Sequence, residues 1–140
     1  MKGIQDRLVG SWELIDYETQ DPAGRRAHPY GAAVGRLTYD DRGNMSGQVM
    51  RPDRARVELA LGNAQSVRAA YFGYIAYFGT YEVAPDGGSV IHHVEGALNP
   101  DWVGGQQVRT LRFDGDRLVL RAEVRKNSEI VAHVLTWERR

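Results

Sequence analysis

The residues best suited to acid–base chemistry in this sequence are two adjacent histidines with a glutamate close behind them. His92, His93 and Glu95 fall in a stretch whose alternating residues predict a β-strand. Successive side chains of a strand point to opposite faces, so His93 and Glu95 share one face and His92 lies on the other. A histidine beside a carboxylate in a cavity can act as a general acid or base near neutral pH. The alternative is that one histidine faces solvent and the other is a hydrogen-bonded wall residue.

A second candidate for chemistry is Arg109, which alternates with Leu111 and therefore shares its face of a predicted strand. An arginine turned inward needs a partner, because an unpaired charge is costly to bury. The partner is either a ligand carboxylate, enolate or carbonyl, or an internal carboxylate from Glu95 or Asp16. If the protein is an enzyme, the predicted catalytic residues are His93, Glu95 and Arg109.

Several aromatic and apolar residues are candidates for the wall of a ligand cavity. A tyrosine offers a flat apolar ring with a hydroxyl at its end, which suits a mostly apolar ligand with one polar group. A methionine adapts its shape to an irregular partner. Each of these residues is also suited to ordinary packing inside a small barrel. The predicted ligand-binding set is Tyr39, Met50, Tyr77, Tyr81, His92, Arg109 and Leu120.

The sequence predicts neither a metal site nor a cofactor. It contains no cysteine, which removes thiolate ligands, thiol catalysis and disulfides together. A tetrahedral metal site needs three or four converging ligands, and His92 and His93 point apart on a regular strand. The other histidines, His28 and His133, lie in a long loop and in the last predicted strand. The glycine loops of nucleotide-binding proteins and the G-x-S-x-G of hydrolases are missing from the sequence.

Eight stretches with two-residue periodicity must position these side chains. The turns between them mostly recur every 8 to 12 residues or so, the spacing typical of an all-β barrel or sandwich. Short connections favour an up-and-down order, and closing the sheet removes its exposed edges. We therefore expect an eight-stranded antiparallel barrel in a single domain spanning residues 1–140. The strands are predicted near residues 11–19, 34–40, 44–51, 77–84, 89–97, 106–113, 117–124 and 129–138.

Two short helical segments accompany the predicted strands. Ile4 and Leu8 are spaced for one or two helical turns ahead of the first strand. A longer helix is predicted between the third and fourth strands, with Asn63 as its N-cap. It either packs permanently on the barrel or acts as a lid over one end. Its apolar stripe consists of Val67, Ala70, Tyr71, Tyr74 and Ile75.

The charge balance argues against two classes of partner. Lysine plus arginine and aspartate plus glutamate number 18 each, so the formal net charge is zero. A nucleic-acid binder needs a basic excess to neutralise phosphates, and binding to an anionic membrane surface needs one too. There is no apolar run of membrane-spanning length and no signal-peptide core near the amino terminus. We expect a cytoplasmic protein that binds neither nucleic acid nor membranes.

Motifs along nearly the whole chain resemble those of the bacterial and fungal lipocalin-like domain proteins, which have calycin-type barrels. Gly10-Ser11-Trp12 resembles the G-x-W at the start of the first lipocalin strand, whose tryptophan closes one end of the barrel. Lipocalins often place an arginine from the last strand over that tryptophan, a role open here to Arg139 or Arg140. The other matching segments are Pro29-Tyr30-Gly31, Gly35-Arg36-Leu37, Met50-Arg51-Pro52, Tyr77-Phe78-Gly79-Thr80-Tyr81, His92-His93-Val94-Glu95-Gly96, Asn99-Pro100-Asp101-Trp102 and Arg109.

The resemblance implies the fold and a ligand cavity without assigning a reaction, so three functions stay open. The first is binding of a small, mostly hydrophobic molecule, oriented by Arg109 and one histidine. The second is a cofactor-independent cyclase or isomerase acting on a hydrophobic intermediate of secondary metabolism in the same cavity. The third is an interaction module with a filled interior. Binding demands least, and we expect a monomer or homodimer whose partner is a small hydrophobic ligand or substrate.

Overall fold

A computed structural model describes residues 3–57 and 63–140, and its main feature is an antiparallel sheet closed into a barrel. The sheet follows chain order from one barrel strand to the next, and the first strand also pairs with the last. The predicted eight-stranded up-and-down barrel is therefore confirmed, with one additional two-residue strand in the loop after the first. The elements are α1 (Ile4–Leu8), β1 (Gly10–Gln20), β2 (Arg26–Ala27), β3 (Val34–Tyr39), β4 (Asn44–Met50), α2 (Ala64–Phe72), β5 (Tyr74–Val83), β6 (Ser89–Ala97), a 3₁₀ turn (Pro100–Trp102), β7 (Gln106–Asp114), β8 (Arg117–Lys126) and β9 (Glu129–Arg139).

Closure of the barrel depends on β1, which pairs with a neighbour on each side. Its first residues run antiparallel to β3, from Gly10 opposite Tyr39 onward. From Trp12 onward it runs antiparallel to β9, with Trp12 opposite Arg139 and Gln20 opposite Ala132. Such closure satisfies backbone groups that an open sheet would leave at its edges.

One end of the barrel is closed by the tryptophan of the G-x-W motif. Trp12 is 1% exposed, and its indole Nε1 donates a hydrogen bond to the Leu8 carbonyl at 2.8 Å. The guanidinium of Arg139 lies 4.3 Å from the Trp12 ring and donates to the carbonyls of Val9 and Arg7 at 2.8 and 2.6 Å. The expected arginine over the tryptophan is therefore Arg139, and it also ties α1 to the end of β9.

The predicted helix between the third and fourth barrel strands is present as α2, and its N-cap is confirmed. The side chain of Asn63 accepts a hydrogen bond from the backbone N–H of Ser66 at 2.8 Å. The apolar stripe is less buried than its spacing suggested, because no residue of α2 is fully buried and Val67 is 52% exposed. The helix lies on the barrel end with its own surface largely open.

The carboxyl end of the predicted helical stripe was wrong, because those residues belong to β5. Tyr74 and Ile75 pair with Met50 and Val49 of β4. Glycine is a poor helix former, so Gly73 ends α2 readily, and the aromatic and β-branched residues beyond it suit a strand. β5 therefore begins three residues before the predicted start at 77.

The hydrophobic core fills the barrel from its closed end. Inward-facing residues alternate with exposed ones along most strands, as the two-residue period requires. The buried core cluster is Leu8, Trp12, Leu14, Tyr17, Leu37, Tyr39, Met45, Val49, Tyr81, Val90, Leu111, Leu118, Leu120 and Trp137.

None of the described helices has the length and apolar character needed to cross a membrane.

Candidate functional site

The barrel interior opens into a cavity of about 290 Å³ away from the closed end. Its volume lies at the small end of the range of ligand pockets, roughly 300 to 1,000 Å³. It therefore suits a molecule built around one ring rather than a large or branched one. The apolar part of the wall consists of Leu37, Gly47, Val49, Ile75, Leu120, Ala122, Val124, Leu135, Trp102 and Trp137. The polar part consists of Tyr17, Gln48, Tyr77, His92, Gln107, Arg109 and His133.

A buried histidine links the core to the cavity through two tyrosines on different strands. His92 is 2% exposed and projects inward from β6. Its Nε2 lies 2.6 Å from the hydroxyl of Tyr39 on β3, and its Nδ1 lies 2.6 Å from the hydroxyl of Tyr77 on β5. Tyr39 belongs to the core cluster, whereas Tyr77 lines the cavity.

Burial holds these three groups in their neutral forms. Desolvation, together with the charges of Arg109 and His93, lowers the pKa of His92 from 6.5 to about 3. Desolvation also raises the pKa of Tyr77, while the Arg109 charge and a side-chain hydrogen bond from Arg109 act in the opposite direction. At neutral pH the imidazole therefore has one N–H donor and one acceptor nitrogen.

The cation of the cavity is Arg109, which faces inward from β7 on the same face as Leu111. Its Nη2 donates to the side-chain oxygen of Gln107 at 3.1 Å, and its Nη1 donates to the Val108 carbonyl at 3.1 Å. Within residues 3–57 and 63–140, no carboxylate forms a salt bridge with it; Asp16 instead approaches His28. The internal ion pair considered from the sequence, with Glu95 or Asp16, does not form.

A second tyrosine–histidine pair lies in the same cavity. The Tyr17 hydroxyl of β1 is 2.7 Å from Nδ1 of His133 on β9, and the two rings stack with centroids 5.8 Å apart. Desolvation, with the charges of Arg109 and Lys126, lowers the pKa of His133. Desolvation and the neighbouring Tyr30 raise the pKa of Tyr17 to about 12. This pair is therefore neutral as well.

The cavity wall extends to the 3₁₀ turn through Trp102, next to α2. Trp102 packs edge-on against Tyr77 with ring centroids 6.1 Å apart. A smaller pocket beneath α2 shares Ile75 and Trp102 with the cavity. The Tyr30 hydroxyl donates to the Phe72 carbonyl at 2.8 Å, which ties the loop before β3 to the end of α2.

The predicted site residues separate into two groups in the structure. Tyr77, His92, Arg109 and Leu120 line the cavity. The other members of the ligand-binding set lie elsewhere. Tyr39 supports His92 from the core, Tyr81 donates to the Asp40 carbonyl near the closed end, and Met50 lies outside the cavity wall.

The histidine–glutamate pair expected in an enzyme does not face the cavity. His93 points outward and its Nε2 lies 2.8 Å from Glu82, an exposed side chain. Glu95 is exposed at a bulge, where Phe78 pairs with Gly96 and the next residue of β5 pairs with Val94. The structure therefore does not bring His93 and Glu95 together with Arg109 in the barrel interior.

The aromatic residues of the cavity wall other than Tyr77 and His92 were missed from the sequence, namely Tyr17, Trp102, His133 and Trp137. Alternation from Trp12 placed Asp16 on the inner face, but a bulge between Leu14 and Asp16 exchanges the faces and turns Tyr17 inward. His133 alternates with Leu135 and Trp137 in β9, and that spacing was the available signal.

A group of possible metal ligands lies on the outside of the barrel. Asp16, Glu18 and His28 place one ligand atom each within 4.8 Å of the others. Asp16 and His28 are about half exposed at 3.2 Å from each other. This is an open cluster away from the cavity, and no metal is assigned to it.

Comparison with known proteins gives one family and one relative of known role. The family model described as a lipocalin-like domain matches residues 9–140. The 4'-hydroxy-3'-methoxypropiophenone carrier protein ppsC of Aspergillus oryzae is 37% identical over 86 residues, which cover 54% of this chain and 77% of the relative. No solved structure gives a significant match.

Proposed function

The chain belongs to the lipocalin-like domain family, and we propose that it is a carrier that binds a small, mostly hydrophobic molecule inside the barrel. The observation that carries this proposal is the cavity of about 290 Å³, walled mainly by apolar and aromatic side chains. A few polar groups interrupt that wall, and this combination is typical of small-molecule pockets. The apolar wall supplies affinity and the polar groups orient the ligand.

The ligand class follows from the volume and from the relative. The relative's name describes the carrying of an aryl ketone with a hydroxyl and a methoxy group. We propose a ligand of this general type, with one aromatic ring and two or more polar oxygens. Its ring would lie among Trp102, Leu120 and Leu135, and one oxygen would reach Arg109 and Tyr77.

Intrinsic fluorescence gives a direct test, because Trp102 and Trp137 line the cavity. We expect 4'-hydroxy-3'-methoxypropiophenone to change the tryptophan emission with saturation at one molecule per chain. Ala122→Phe places a ring inside the cavity and should weaken binding at least tenfold. Ala23→Phe adds the same ring in an exposed turn and should leave the affinity unchanged.

Two results would contradict the carrier function. One is emission that does not respond to the aryl ketone or to a panel of apolar dyes. The other is an Ala122→Phe variant, folded by circular dichroism, that binds as tightly as the parent protein. Native mass spectrometry of freshly purified protein provides an independent check, since a retained compound should appear at one copy per barrel.

The second candidate function is an isomerase, favoured by the neutral His133 and the cationic Arg109 facing one cavity. The imidazole would remove a proton from the carbon beside a ligand carbonyl. The electron pair would move to the carbonyl oxygen, stabilised by Arg109 and Tyr77, and the proton would return at another carbon. No co-reactant is needed. Incorporation of deuterium from heavy water into a bound aryl ketone, and its loss in His133→Gln, would support the isomerase function. A ligand that stays unlabelled in the parent protein would contradict the isomerase function.

A further inference from the structure

The hydrogen-bond chain through His92 has a preferred direction. The Tyr39 hydroxyl is buried, and its hydrogen-bond partner among the described residues is His92 Nε2. If Nε2 carried the proton, the hydroxyl hydrogen of Tyr39 would be buried without an acceptor, which is costly. Tyr39 therefore donates to Nε2, and the proton of the neutral imidazole is on Nδ1.

This direction makes Tyr77 a donor toward the cavity. The Nδ1–H of His92 donates to the Tyr77 oxygen across 2.6 Å. The hydroxyl hydrogen of Tyr77 is then free to point elsewhere, and the side chain lines the cavity. A neutral histidine buried behind the wall thus fixes which way the tyrosine presents its hydroxyl.

Two further residues of the cavity wall have unused donors. Trp137 lines the cavity, and its indole Nε1 is buried without a hydrogen-bond partner among the described residues. Arg109 uses N–H groups on Val108, Gln107 and Tyr77, while a guanidinium has about five, so donors remain unused. The wall therefore has unused donors where an unsatisfied polar group is expensive.

Acceptors are scarce on this wall. Among the described residues the wall includes no aspartate or glutamate, and the side-chain oxygen of Gln107 is already occupied by Arg109. The side-chain amide of Gln48 can donate through its NH2 group or accept through its oxygen. The titratable groups facing Arg109 across the cavity are Tyr17, Tyr77, His92 and His133, and all four are neutral at neutral pH. In the part of the chain that the structure describes, no carboxylate of the wall offsets the Arg109 charge.

We propose that the cavity binds its ligand as an oxyanion, a phenolate, enolate or carboxylate, whose oxygen lies between the Arg109 guanidinium and the Tyr77 hydroxyl. The inference rests on the proposed carrier function and specifies the ionisation state of the cargo. A cation and donor groups in an apolar cavity favour the charged form of a weak acid over its neutral form. A bound phenol should therefore ionise at a lower pH than the same phenol in water.

The test uses two matched aryl ketones, 4-hydroxyacetophenone and its neutral methyl ether, 4-methoxyacetophenone. The phenolate of the first absorbs at longer wavelength than the phenol, so its ionisation can be followed by absorbance with excess protein present. We expect the bound transition at least one pH unit below that of the free phenol, which corresponds to a tenfold preference for the anion. The methyl ether should bind at least tenfold more weakly than the phenolate.

Two variants assign the effect to the cavity cation. Arg109→Gln should lose the shift, whereas Arg112→Gln removes a charge from the outer face of β7 and should keep it. If Arg109→Gln does not fold, the comparison of the two ketones in the parent protein still tests whether the ligand is bound as an oxyanion. Equal binding of phenol and ether, or a shift to higher pH, overturns the oxyanion and leaves the carrier intact. If neither ketone binds, the carrier function and the oxyanion both fail.

Discussion

The Tyr39 hydroxyl lies 2.6 Å from Nε2 of His92, so a tyrosine of the core orients a histidine of the cavity wall. The two residues are 53 positions apart in the chain and lie on β3 and β6. The hydrogen bond from Tyr39 stabilises the core and also determines which nitrogen of His92 carries the proton. It therefore determines that His92 donates to Tyr77 at the cavity wall.

Tyr39→Phe should lower the free energy of unfolding by about 1 to 3 kcal/mol. It removes a buried hydroxyl and leaves His92 Nε2 without its donor. Tyr30→Phe is the control, since it removes a more exposed hydroxyl bonded to the Phe72 carbonyl and should cost less, about 1 kcal/mol or below. Urea unfolding compares them, and equal losses for the two variants would contradict the assigned role.

Stability should fall as the pH is lowered from about 6.5 toward 3, with His92 as one cause. Burial lowers the pKa of His92 from 6.5 to about 3, so in this window the unfolded chain binds a proton that the folded chain does not. The resulting stabilisation is complete above pH 6.5 and is lost by about 1.4 kcal/mol per pH unit below it.

The control for this pH dependence is His92→Gln, whose unfolding should depend less steeply on pH between 6 and 4. Urea unfolding at several pH values gives the difference between the two proteins. His133, whose pKa is lowered too, contributes to both and cancels. Parallel curves for the parent and His92→Gln would show that His92 is not held neutral by the fold.

Gly10→Ala should destabilise the closed end by about 1 to 3 kcal/mol. Gly10 has φ of +133°, and a Cβ there would lie 2.7 Å from Nη1 of Arg139, the guanidinium that covers Trp12. Gly88→Ala is the control, because a Cβ at that position meets only ordinary contacts with Asp86. Thermal unfolding should separate the two, and a Gly10→Ala protein as stable as Gly88→Ala would refute the steric argument.

Trp102→Ala should speed ligand dissociation tenfold or more, because its ring packs against Tyr77 and forms part of the cavity wall. Phe78→Ala is a suitable control, since that ring is 54% exposed on the outer face of β5. Stopped-flow fluorescence, with Trp137 as the remaining cavity reporter, measures the rates. An unchanged rate in Trp102→Ala would place the exit route elsewhere.

Local patterns predicted the fold well, because every strand of an up-and-down barrel has the same two-residue alternation and a short turn leads to the next strand. The alternation of residues and the turn glycines located all eight barrel strands to within a few residues, apart from the early start of β5. The lipocalin-like motif located Trp12 and predicted an arginine over it, which the structure identifies as Arg139. Where alternation failed, as at Asp16 and Tyr17, a single bulged residue had exchanged the two faces.

The sequence by itself determined the strand order and the separation of His92 from His93 onto opposite faces, because both depend on neighbours along the chain. Only the tertiary structure decided that His92 is the inward histidine, and that Tyr39 and Tyr77 meet it. It also decided that Tyr17 meets His133, 116 residues away, through the pairing of β1 with β9. Such contacts depend on strand register and barrel closure, and a two-residue period in the sequence specifies neither of them.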